Sequence, residues 1–194
     1  ILIGVLIVGL GGYLVMRTRE ADRRAAPVKK FISEQERVAE GLKEDKRILS
    51  LPEEGVGAPA TAVVFGALIR LASRQDQFAR QEALRRATSK NPAMREGAVN
   101  ALGFFDDEEA LSVVIKSLTD PAPSVRTHAI EGLGHRMDAR REKALMGMLQ
   151  KPGMNDQQKI ALYAALIKTS ASPAGKNRGI SEMVRLGVSK GNSE

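Results

Sequence analysis

Shifted by 31 residues, the chain beyond residue 60 matches itself. Val63, Met94 and Val125 fall in one column, and Ala67, Ala98 and Ala129 in another. Leu68, Val99 and Ile130 follow, then Leu71, Leu102 and Leu133, then Ala72, Gly103 and Gly134. Further on, Ala83, Val114 and Leu145 correspond, as do Ala87, Leu118 and Leu149. A unit of this length cannot bury its apolar face alone, so successive copies must stack and share one continuous core. The apolar spacing inside each unit is helical and splits it into two short helices. The repeat therefore dictates an all-α solenoid of about four helix pairs, expected at 60–73 with 76–89, 92–104 with 107–119, 123–135 with 138–150, and 156–170 with 174–187. In the fourth pair the period is expected to slip to 32, carrying Ala129 to Ala161 and Leu133 to Ala165.

Punctuation supports this division. Asn91-Pro92 and Asp120-Pro121 each put a capping side chain and a proline at a helix entrance. Asp106 and Asp138 are the expected caps of second helices, and Gly103 and Gly134 mark either a helix end or a close approach of backbones.

Several of these residues also resemble a known pattern. Asn91-Pro92, Met94-Arg95, Ala98, Leu102-Gly103, Asp106, Ala110-Leu111 and Leu118, then Asp120-Pro121, Val125-Arg126, Ala129 and Leu133-Gly134, look like short HEAT repeats of the subtype found in bilin-lyase-type proteins and bacterial scaffolds. The first unit departs from it, with Val64 where later units carry Arg95 and Arg126. The resemblance covers residues 60–187 and implies an α-solenoid with a curved binding surface, without implying a reaction. In HEAT-like stacks the second helices usually line the inner face. On this register that face carries Gln81, Arg85, Ser112, Lys116 and Lys143, with Gly147 beside them, and these are the expected protein-binding residues.

The segment before the repeats has a different character. Residues 1–16, ILIGVLIVGLGGYLVM, hold no charge and read as a single transmembrane helix whose N-terminal end is missing, since sixteen helical residues span roughly 24 Å against an apolar core of roughly 30 Å. No small-x-small cleavage signal follows directly, which favours an uncleaved anchor over a signal peptide. Gly4, Gly11 and Gly12 fall near one face of this helix and are candidate packing points for a second membrane helix. Residues 17–30 hold six Lys/Arg against two acids; this flank favours a cytoplasmic repeat domain, with a periplasmic one as the alternative, and would attract anionic lipid headgroups. An amphipathic helix is expected from Val28 to Leu49. The stretch 51–59, with two Pro and two Gly, is expected to be a linker that closes the 17–59 segment and precedes a repeat domain beginning near Ala60. A flexible tail is expected at 188–194.

Charge and composition narrow the function. The chain carries +7, of which +4 lies in residues 17–30, leaving 31–194 at only +3. With only seven aromatics, none of them Trp, this makes a nucleic-acid binder improbable. There is no Cys, so thiol catalysis and thiolate metal sites are excluded. His128 and His135 lie two helical turns, roughly 10 Å, apart and cannot share one ion unaided. The run Asp106-Asp-Glu-Glu109 is read as a helix start, where carboxylates complement the dipole. No phosphate loop, nucleophile elbow or HExxH motif occurs. No catalytic residue, metal or cofactor is expected. The expected function is a membrane-anchored scaffold that binds subunits of a membrane protein complex. A nucleic-acid-binding HEAT-like protein, and a lyase or chaperone handling a pigment or other cofactor, are the alternatives.

Overall fold

The computed structural model describes residues 26–27, 30–55 and 57–187. The expected membrane helix 1–16 with Gly4, Gly11 and Gly12, residues 17–25 of the basic flank, and the tail 188–194 lie outside the described residues. Among the described residues every regular element is helical, and no helix is long and apolar enough to cross a membrane.

The chain divides into two compact units, Ile1–Glu44 and Asp45–Glu194. In the first, the described residues form most of helix α1 (30–49), the expected amphipathic helix. Its ion pairs Arg37–Glu34 and Lys43–Glu40 join residues three apart, and Phe31 and Ile32 are exposed.

The second unit holds four helix pairs: α2 (Thr61–Ala72) with α3 (Gln77–Arg86), α4 (Pro92–Leu102) with α5 (Glu108–Ser117), α6 (Pro123–Leu133) with α7 (Ala139–Leu149), and α8 (Asp156–Thr169) with α9 (Pro173–Arg185). The first three pairs keep the 31-residue period at both helix starts. The fourth does not keep the expected 32. The buried Leu162 and Leu166 occupy the places of Ala129 and Leu133, a displacement of 33, because α7 and the connection ending at Asn155 are each one residue longer than α5 and the connection that follows it. Asn155 then starts α8 with a reciprocal capping box through Gln158.

Caps explain where the second helices begin. Asp76, Asp107 and Asp138, spaced by 31, each accept backbone N–H bonds at the N-terminus of α3, α5 and α7. The expected cap Asp106 is therefore corrected to Asp107; Asp106 instead faces Arg136 at 2.6 Å. Asn91 caps α4, with Pro92 in its first turn, as its sequence suggests. Asp120 acts one step earlier than expected. It accepts from the Ala122 N–H before α6 begins at Pro123, and it receives two bonds from Arg95 of the preceding pair.

The core lies between the two helix layers. Leu68, Leu71, Leu102, Leu111, Leu133, Leu145 and Leu166 are all at most 1% exposed. The first helices α2, α4 and α6 pack directly on one another, whereas the second helices α3, α5 and α7 meet only sparingly. Glycine sets the closest point. A Cβ on Gly103 would lie within 2.6 Å of the Gly132 carbonyl carbon, so the backbones of α4 and α6 meet there without side chains between them. Both Gly103 and Gly134 keep right-handed φ, so at Gly103 close approach, not conformational freedom, is what requires glycine.

Two fully buried arginines lock this arrangement. Arg141 of α7 donates to the carbonyls of Gly103 (2.8 Å), Gly132 (3.0 Å) and Phe105 (2.6 Å), satisfying the ends of α4 and α6 together. Arg86 of α3 pairs with Glu82 and donates to the Leu49 carbonyl at 2.8 Å. Leu49 is itself buried, and Asp45 receives two hydrogen bonds from Arg70. These contacts lie within the compact unit, which begins at Asp45, while its first repeat helix begins at Thr61.

Candidate protein-binding surface

The residues expected to contact a partner come together in two rows on the second-helix layer. Gln81, Ser112 and Lys143 hold equivalent places on α3, α5 and α7, one turn before Arg85, Lys116 and Gly147; all six are exposed. They do not share one state. Arg85 is tied to Glu53 at 2.8 Å and Glu82 at 3.0 Å, so its charge is largely spent within the domain. Lys116 and Lys143 pair with no carboxylate among the described residues.

The carboxylates around these rows are already engaged. Arg80 of α3 reaches forward to Asp107 at 2.6 Å and Glu109 at 2.7 Å. That guanidinium, working against burial, holds the Asp107 carboxyl at about 2. Arg140 of α7 reaches back to Glu108 at 2.6 Å while also holding Asp138, whose carboxyl it lowers. Asp120 is lowered by Arg95 in the same way. The acidic run 106–109 thus serves as a helix start bridged by arginines from both neighbouring pairs.

The two histidines lie in separate joints of the first-helix layer. His128 meets the ring of Phe65 edge-on, with centroids 5.4 Å apart. His135 stacks on Phe104 at 4.0 Å, and its Nε2 lies 2.7 Å from the Asn100 side-chain oxygen. Desolvation, with Arg141 and Lys168 nearby, pushes the His135 imidazolium down to about 4, so the ring is neutral near pH 7. Asn100 also donates to Glu131 at 3.0 Å, completing a bridge from α4 to α6. Among the described residues no group of three metal-ligating side chains converges.

A family model described as HEAT repeats matches residues 54–134 and again 81–167, more than half of the chain. The chain belongs to the HEAT-repeat family. No curated protein matches it. The HEAT assignment fits the geometry: paired helices, an Asp–Arg connection between successive pairs, and a second-helix layer whose equivalent positions face solvent. Sequence reasoning overlooked one further feature of this HEAT surface, the recurrence of Leu84, Ile115 and Met146 at the same 31-residue interval. That column stands next to the core column Ala83, Val114 and Leu145, and in a helix a one-residue step turns the side chain from core toward solvent.

Proposed function

We propose that this HEAT domain is a non-catalytic scaffold that binds other proteins through its second-helix layer. Residues 1–16 would hold it beside a bilayer, on the cytoplasmic side, where it would help assemble or stabilise a membrane protein complex. The observation that carries the reading is the set of equivalent exposed positions on three successive helices, Gln81, Ser112 and Lys143 with Lys116 one turn on. Such rows offer a partner a repeated, extended contact, and families built this way bind through surface rather than through a pocket. The uncharged stretch 1–16 and the six Lys/Arg of 17–30 support the anchor and its orientation. Tethering raises the effective concentration toward a membrane partner, so individually weak contacts suffice.

A quantitative pull-down from membranes tests this. Deleting residues 1–16 should release a folded helical domain and greatly reduce recovery of the native complex. Lys116→Glu with Lys143→Glu in the anchored chain should reduce recovery with helicity unchanged. Full recovery in both variants would remove the support for a tethered scaffold.

A further inference from the structure

Helix α9 presents a surface that the helices before it do not. It sits close on α8 through Gly179, where a Cβ would come within 2.7 Å of the Ile167 Cγ1. The side turned away from Gly179 is exposed along Asn177, Ser181 and Val184. Ile180 and Val184, one helical turn apart, are 49% and 56% exposed and form an apolar strip there. Around the helix this strip is bordered by Lys176 on one flank and, beyond Asn177 and Ser181, by Arg185 and Arg178 on the other.

The charge of this region is one-sided. No Asp or Glu occurs from Gln157 to Ser181, a stretch that holds Lys159, Lys168, Lys176 and Arg178. In α3, α4 and α7, Arg80, Arg95 and Arg140 are matched to carboxylates. Lys168, Lys176 and Arg178 pair with none among the described residues. Glu182, the one acid of α9, is taken up by Arg185 at 2.8 Å.

Apolar side chains bordered by long basic ones suit the interface of an anionic bilayer. The apolar tips enter the headgroup–acyl boundary, while the cations reach phosphates along their flexible stems. An acidic protein surface would meet the cations but would need a shaped pocket for Ile180 and Val184, and a fluid bilayer needs none. The bilayer is also the surface at hand, since residues 1–16 would hold the domain beside one, where a weak contact suffices.

We propose that the outward face of α9 is a second membrane contact, in which Ile180 and Val184 enter an anionic bilayer and Lys176, Arg178 and Arg185 meet its phosphates. The proposal rests on the anchored reading above and adds where on the repeat domain the bilayer is met.

The test uses the full chain reconstituted into vesicles of phosphatidylcholine with phosphatidylglycerol. The chain has no Cys, so Ser181→Cys takes a single environment-sensitive dye on the outward side of α9, and Ser112→Cys on α5 is the control. Lipids spin-labelled on the acyl chain should quench the dye at 181 and leave the dye at 112 unquenched. Quenching at 181 should fall at least about twofold in phosphatidylcholine alone, because the anionic headgroups are gone. Lys176→Glu with Arg178→Glu, and separately Ile180→Ser with Val184→Ser, should bring it to the control level, with helicity checked by circular dichroism. Equal quenching at 181 and 112, equal quenching in both lipid mixtures, or no loss in either variant would overturn the proposal. Energy transfer between labelled copies in place of quenching would also overturn it, because a second copy would then be the occupant. Flotation of the same vesicles reads the anchor separately. A chain that floats without quenching at 181 leaves the anchor standing and removes the α9 contact, whereas a chain that does not float removes both.

Discussion

The two layers of the HEAT unit are built on opposite terms. In the first-helix layer, α2, α4 and α6 press together through small residues, and at Gly103 and Gly132 the backbones themselves are in contact. In the second-helix layer, α3, α5 and α7 stand further apart and are joined at their N-terminal ends by Arg80 and Arg140, which span from one helix to carboxylates on the next. The first layer fixes the stack with dry, shape-dependent contacts that tolerate almost no change. The second leaves its outward positions free of packing duties, so they can be set by a partner.

The largest effect should separate the layers by side-chain burial. Leu133→Ala, at a site that is 0% exposed in α6, should cost about 2–5 kcal/mol by lost transfer energy and a residual cavity. Ile115→Ala on the outer face of α5 should cost less than about 1 kcal/mol. Urea unfolding of the two variants measures the difference, and equal losses would break the comparison.

Glycine gives the next contrast. Gly103→Ala should destabilise by about 1–3 kcal/mol, because the added methyl overpacks the contact with Gly132. Gly147→Ala should be neutral or stabilising by about 0.5–1 kcal/mol, since it lies in α7 with open space around its Cβ direction. Thermal unfolding followed by circular dichroism distinguishes them by the sign of the shift.

Asp107→Ala sharpens the account of the second layer. It removes the cap of α5 together with the carboxylate that receives Arg80, at a cost of about 1 kcal/mol. Because the folded carboxyl is lowered to about 2 from 3.8, its contribution is present above 3.8 and is lost as pH falls toward 2. Asp106→Ala should cost less, since Asp106 caps nothing and its partner Arg136 is partly exposed.

The smallest effect belongs to the first layer. His135 is lowered to about 4 in the folded chain against 6.5 ordinarily, so between these values the unfolded chain binds a proton that the folded one does not. Stability contributed by the neutral ring is therefore present above 6.5 and is lost as pH falls toward 4. Urea midpoints measured across that window should fall more steeply for the parent chain than for His135→Gln; parallel slopes would contradict the neutral, stacked histidine.

Much of this architecture is legible in the sequence because helix periodicity and capping are local. The 31-residue interval places the helices of the first three pairs, and the rows Gln81–Ser112–Lys143 and Arg85–Lys116 do share one exposed face. The recurrence Asp76, Asp107, Asp138 carries the same 31-residue interval and marks Asp107, not Asp106, as the cap of α5. What could not be read was non-local. Arg141 and Arg86 look like surface charges along their helices, yet each is buried because distant backbone carbonyls converge on it. Asp45 and Leu49 join the repeat unit through Arg70 and Arg86, contacts that skip the whole Pro/Gly linker. At Gly103 the sequence offers a helix end or a close approach; both hold, and only the packing of α6 names Gly132 as the partner.

The division of labour is tested most directly by site-specific photo-crosslinking of the anchored chain in cells. A photoreactive side chain is placed at Ser112 or Lys143 on the second-helix layer, or at Thr127 or Glu131 on the exposed side of α6. The account predicts a discrete crosslinked partner from Ser112 and Lys143 and none from Thr127 and Glu131. Crosslinks confined to Thr127 and Glu131 would contradict it, because the layer that builds the stack would then also be the one that binds.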